Sequence, residues 1–135
     1  MLFRSPRQDV PQSAVDEFVA ESEETVDRLS RNLQAMEAGS SSKELIDEIY
    51  RDVHSLKGSA FLFSYNNLGQ VAHAMESSLE RVRNGTHAHS PELLNGLFKS
   101  LTLMEGLVSK IKTNEPIEEI VQKIPEVIQI GRAHV

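Results

Sequence analysis

The interval between apolar residues constrains this chain more than any other feature. Val15, Phe18, Val19, Val26, Leu29, Leu33 and Met36 recur at spacings of three, four and seven, which lines them up along one face of an α-helix. Acidic residues fill the other faces. Gly39 and three serines close the run, and Ser41 followed by Glu44 reads as a capping box that opens a second helix. The stripe of that helix is Leu45, Ile49, Val53, Leu56, Ala60 and Phe63. Asn66 or Asn67 is placed to cap a third, carrying Leu68, Val71, Ala72, Met75, Leu79 and Val82, which Asn84-Gly85 stops. Ser90-Pro91 pairs a cap with a proline at the first helical position, and Leu94, Leu97, Phe98, Leu101, Val108 and Ile111 follow as a fourth stripe. Glu115-Pro116 opens a shorter fifth helix with Ile117, Ile120, Val121 and Ile124, which Pro125 should end or kink.

The spacing therefore predicts helices over about 13–38, 42–63, 67–84, 91–113 and 116–129. No segment alternates at period two for long enough to suggest a strand. Helices of this length joined by short loops favour antiparallel neighbours. The expected fold is all-α: an up-down antiparallel four-helix bundle with an additional short C-terminal helix, in one domain over 12–130. Hydrophobic residues make up 39% of the 135, enough for a single packed core. Met1–Ser5 and Ile130–Val135 resemble translated adapter sequence. Residues 1–11 and 131–135 are accordingly expected to be non-native or disordered ends, with the natural chain running beyond both.

Composition then narrows the function. The chain has no cysteine, which removes disulfides and thiolate metal sites and suits a reducing, cytoplasmic setting. No apolar run approaches the roughly 18 residues of a membrane span, and no basic-then-apolar leader opens the chain. Twenty acidic against fourteen basic residues leave a net charge of −6, contrary to the clustered Lys and Arg of a nucleic-acid surface.

The polar residues of the second helix carry the chemistry. At about 100° per residue, Val53, Leu56 and Ala60 face the core, while His54 and Lys57 lie on an adjoining face with Gly58 one turn past the histidine. A mid-helix glycine costs about 1 kcal/mol relative to alanine. A clear space beside the imidazole is one reason to bear that cost, and Lys57 would offset negative charge brought there. Taken alone, these residues also suit an ordinary boundary histidine with Gly58 permitting close helix packing. On the third helix His73 and Glu76 are three apart and share a face. If the two helices are antiparallel neighbours, His54, Lys57, His73 and Glu76 can meet. A carboxylate on Nδ1–H of a histidine fixes the tautomer and leaves the Nε2 lone pair free; a solvated Glu76 is the plainer alternative. His87 and His89 read as a solvated turn, and no glycine-rich phosphate loop or kinase motif occurs.

The run His54-Ser55-Leu56-Lys57-Gly58-Ser59-Ala60 closely resembles the phosphorylation-site motif of histidine phosphotransfer (HPt) domains. Phe18-Val19-Ala20-Glu21-Ser22, His73-Ala74-Met75-Glu76 and Leu79-Glu80-Arg81-Val82-Arg83-Asn84-Gly85 extend the likeness to the N-terminal HPt domain of CheA-type chemotaxis histidine kinases, over about residues 14–125. The resemblance implies that His54 is the phosphoacceptor, Lys57 a charge partner and Gly58 the clearance position. It makes Glu76 the histidine-orienting glutamate and His73 an accessory histidine. After Ala60 the family usually continues with glycines. Here the chain reads Phe61-Leu62-Phe63-Ser64-Tyr65, a departure that falls on the docking surface beside the motif.

The implied function is phosphorelay signalling. His54 would take a phosphoryl group from the catalytic domain of a histidine kinase and pass it to a response-regulator receiver domain. The fragment alone would be a monomeric phosphocarrier, not an enzyme, and its parent chain a protein histidine kinase. No cofactor or metal is expected within it, since ATP and Mg²⁺ belong to the partner domains; neither nucleic acid nor membrane insertion is expected. Two alternatives stand beside this reading: a metal-binding bundle using His54, His73 and Glu76, which lacks the paired Glu-x-x-His motifs of bundle di-metal sites, and a plain helical interaction module.

Overall fold

The computed structural model describes residues 10–84 and 90–133, and among them the regular structure is entirely helical. Four long helices, α1 (Gln12–Glu37), α2 (Lys43–Leu62), α3 (Asn66–Arg83) and α4 (Pro91–Thr113), are followed by α5 (Glu118–Val121) and α6 (Ile124–Ala133). None of them is long and apolar enough to cross a membrane. His87 and His89 lie outside the described residues.

Helix ends follow the chemistry of the backbone. Ser42 and Ser90 cap α2 and α4, their hydroxyls accepting from the amides of Leu45 and Leu93 at 3.1 Å. Three ends share one closure. The amides of Ser40, Tyr65 and Glu115 reach back five residues to the carbonyls of Ala35, Ala60 and Lys110. The residue before each, Gly39, Ser64 or Asn114, takes positive φ, as this Schellman turn requires.

The cap of α2 is Ser42, so Glu44 falls too early for a capping box, and Ile46 is buried where Leu45 was expected. Neither Asn66 nor Asn67 caps α3: the preceding turn delivers the chain with Tyr65 at the N-cap, without a side-chain cap bond. The fifth helix expected over 116–129 is two helices. Pro125 neither ends nor kinks it, but sits in the first turn of α6, where its missing N–H costs nothing. That helix continues to Ala133, past the boundary expected at 130.

Helix α1 packs on α2 and α4, and α3 packs on the same two, which closes the up-down bundle; α6 lies against α3 and α4. The core is drawn from all four long helices and includes the fully buried Leu29, Leu33, Ile49, Val53, Val71, Ala72, Leu79 and Met104, the last outside the expected stripe of α4. Phe18, Phe63 and Tyr65 stack at the α2–α3 end, with ring centroids 4.9 and 5.3 Å from Phe18. They anchor the turn to α1. Across α1 and α2, Arg28 grips both carboxylate oxygens of Asp52 at 3.2 Å.

The α2–α3 pair is the part that positions a site. Three rungs join it: Asp47 to Arg83, His54 to Glu76, and Phe61 to Gly69. They are seven residues apart on each helix, so about 10 Å separates successive rungs. At the last, the Phe61 ring lies where a Cβ on Gly69 would come within 2.7 Å, and the glycine admits it. Phe61 and Leu62 remain exposed beyond it.

Candidate functional site

The middle rung gathers four of the five residues singled out from the sequence. Glu76 presents its carboxylate between the helices with 8% of its side chain exposed, whereas the His54 side chain is 60% exposed. His54 Nδ1 hydrogen-bonds Glu76 Oε2, and the Lys57 ammonium donates to Oε1 at 2.8 Å. His73 stands on the same carboxylate, its Nδ1 3.6 Å from Oε1. That is beyond hydrogen-bond length, so its contribution to the cluster is electrostatic and conditional on its charge.

The protonation pattern follows from Glu76. Burial pushes its carboxyl up, but the hydrogen bonds from Lys57 and His54 outweigh that and hold it below the usual carboxylate range. An ionised carboxylate only accepts, so the proton of the shared bond sits on Nδ1 of His54. In the neutral ring the lone pair is then on Nε2, on a side chain that is mostly exposed.

Gly58, the fifth residue, makes no contact that explains it: a Cβ there would meet nothing within 4 Å. Helical side chains lean toward the N-terminus over the preceding turn, so any side chain at 58 would lean over the turn that carries His54. The glycine leaves that side of the ring open, and close helix packing does not account for it.

Sequence reading missed the other side of the imidazole. Tyr50, one turn before His54, lies almost parallel to it, with ring centroids 6.1 Å apart and planes 8° apart. The Arg83 guanidinium of α3 covers the Tyr50 ring at 4.5 Å and donates to Asp47 at 2.9 Å. Lys43 donates to the second oxygen of Asp47 at 2.9 Å, and these partners, Lys43 foremost, hold that carboxyl below its ordinary range. The interval of four between Tyr50 and His54 was a usable signal. Arg83 gave none, since its place depends on the register of α3 against α2.

His54, His73 and Glu76 meet around hydrogen bonds and an ammonium ion, and among the described residues no three ligating side chains are arranged to hold a metal. The metal-bundle alternative gains no support. A family model described as the Hpt domain matches residues 13–114. The chain belongs to the Hpt domain family.

This Hpt domain is similar to chemotaxis protein CheA of Listeria monocytogenes, 31% identical over 98 residues that make up 73% of this chain and 16% of that protein. It also resembles CheA of Bacillus subtilis, 26% identical over 120 residues, 89% of this chain and 18% of that one. The Hpt chain thus spans about a sixth of the length of these curated relatives. Among solved structures, the solution structure of the histidine phosphotransfer domain of CheA superposes with a TM-score of 0.76 at 25% identity, over 89% of this chain and 92% of that one. The phosphorylated P1 domain of CheA3 in complex with CheY6 from R. sphaeroides gives 0.71 at 19% identity, over 88% and 98%; at that identity the likeness speaks for the fold.

Proposed function

We propose that His54 of this Hpt domain takes a phosphoryl group on Nε2 from the ATP-binding domain of a histidine kinase and yields it to a response-regulator aspartate. One observation carries the reading: the Nδ1 of an exposed histidine is bound to a buried, ionised carboxylate, which leaves the lone pair on Nε2.

In the first transfer the Nε2 lone pair forms an N–P bond as the bond from phosphorus to the donor's leaving oxygen breaks. The ring gains positive charge, which Glu76 stabilises through Nδ1–H at no cost in reorganisation. Lys57, beside Glu76, adds positive potential near the incoming oxygens. In the second transfer the receiver carboxylate attacks phosphorus, the N–P bond breaks and its electron pair returns to Nε2. No proton changes place. The domain supplies an oriented nucleophile, and positioning with charge neutralisation suffices for this chemistry. His73 is the accessory histidine beside Glu76, and it adds positive charge there only when protonated.

The relatives support a further reading of the parent chain as a CheA-like chemotaxis kinase, with receiver domains of the CheY kind as acceptors. Sequencing the remainder of the open reading frame tests it: a following ATP-binding domain is expected, and a short end would mean a stand-alone relay protein. For the site, incubation with labelled ATP and a competent kinase core should label this chain, and His54→Gln should abolish the label while circular dichroism stays native. Undiminished labelling of the variant would move the acceptor elsewhere.

A further inference from the structure

Two sides of the His54 ring differ sharply: toward the C-terminus of α2 the space at Gly58 is open, and toward the N-terminus Tyr50 stands parallel to the imidazole. We propose that Tyr50 is a positioning residue for phosphotransfer, held by the Arg83–Asp47 pair so that it fixes the plane of the His54 ring and closes one side of it. Donor and acceptor then reach Nε2 from the Gly58 side.

Glu76 secures one atom of the imidazole, and an exposed ring tethered at one atom still pivots about that tether. A second contact is needed to define its plane. Helical side chains lean toward the N-terminus, so the His54 ring lies over the turn that carries Tyr50, and the observed 8° between the two planes is the outcome. Tyr50 is itself only half-buried and needs a hold of its own. Arg83 provides it, with its guanidinium 4.5 Å from the ring centroid. Arg83 is in turn pinned by Asp47 from α2. The chain Asp47–Arg83–Tyr50–His54 thus leaves α2, crosses to α3 and returns, one turn from the reacting atom.

This inference rests on His54 being the phosphoacceptor, and the test separates the two. Imidazole order is measured in the free 135-residue chain by ¹³C relaxation of the His54 ring carbons, with no kinase present. Tyr50→Ala should lower that order while Tyr50→Phe, which retains the ring, keeps it. Arg83→Gln, a surface change that spares the core, should lower it partway and serves if Tyr50→Ala does not fold. In transfer assays with a CheA kinase core and ATP, Tyr50→Ala should reduce kcat on the order of tenfold with KM nearly unchanged, as misorientation does. Tyr50→Phe should restore it. Unchanged ring order in both Tyr50→Ala and Arg83→Gln overturns the proposal. Persistent labelling of His54→Gln overturns the phosphoacceptor assignment instead, and leaves the ring-order result to be read by itself.

Discussion

Replacing Glu76 by glutamine keeps the shape of the group and removes its charge, which isolates what the carboxylate contributes. Transfer should slow by roughly ten- to a hundredfold, because positive charge then develops on the ring without a counter-charge. Stability should respond as well. The Glu76 carboxyl is held below its usual range in the folded protein. It therefore adds stability above the unfolded carboxylate pKa, about 4.3, and that stability is lost as pH falls through the folded value. Thermal melts across the acid range should show a flatter slope for Glu76→Gln than for the native chain. Gly58→Leu separates function from folding in the opposite sense. With nothing within 4 Å of a Cβ there, helix propensity should raise stability by about 0.8 kcal/mol, while the branched side chain slows labelling of His54. Loss of the fold would show that the glycine serves packing. Among these residues His54, Lys57 and Glu76 were legible because intervals of three place residues on shared helix faces. Tyr50 was open to the same reasoning, one turn before His54, whereas Arg83 was not, because its place depends on how two helices align.

At the scale of elements, the long helices were legible because burying one face selects the period of the apolar residues, and few other arrangements satisfy it. Their ends were less so. Gly39 announced its turn, and Asn114 is of the type that next most often follows glycine in that role, but Ser64 adopts the same left-handed backbone with no such mark. Pro125 shows the limit of punctuation: a proline suits both the end of one helix and the first turn of the next, and spacing does not choose between them. Ser90 was read correctly, and its hydroxyl carries a measurable share of the fold. Ser90→Ala should cost about 1 kcal/mol, seen in urea denaturation as a lower midpoint at unchanged slope. A midpoint shift near zero would mean that Pro91 alone starts α4.

For the whole molecule, four stripes meeting in one core explain why a chain with so few aromatic residues still folds as a bundle, and the Phe18–Phe63–Tyr65 stack secures one end of it. The apolar Phe61–Leu62 pair leaves the helical backbone of α2 intact. Gly69 accommodates the Phe61 ring, and the pair stays exposed at the surface. The three rungs between α2 and α3 have a larger consequence. His54 and Glu76 are 22 residues apart, and a turn of three residues sets that separation, so the turn works as a ruler. One glycine inserted after Ser64 would carry every residue of α3 about 100° around its axis relative to α2, and the site and the core could not both realign. Helical content should survive by circular dichroism while labelling of His54 collapses, although no residue of the site has been altered. Substitutions in the turn should be far milder than any change in its length. The phosphotransfer site is in this sense specified by a count of residues as well as by their kinds.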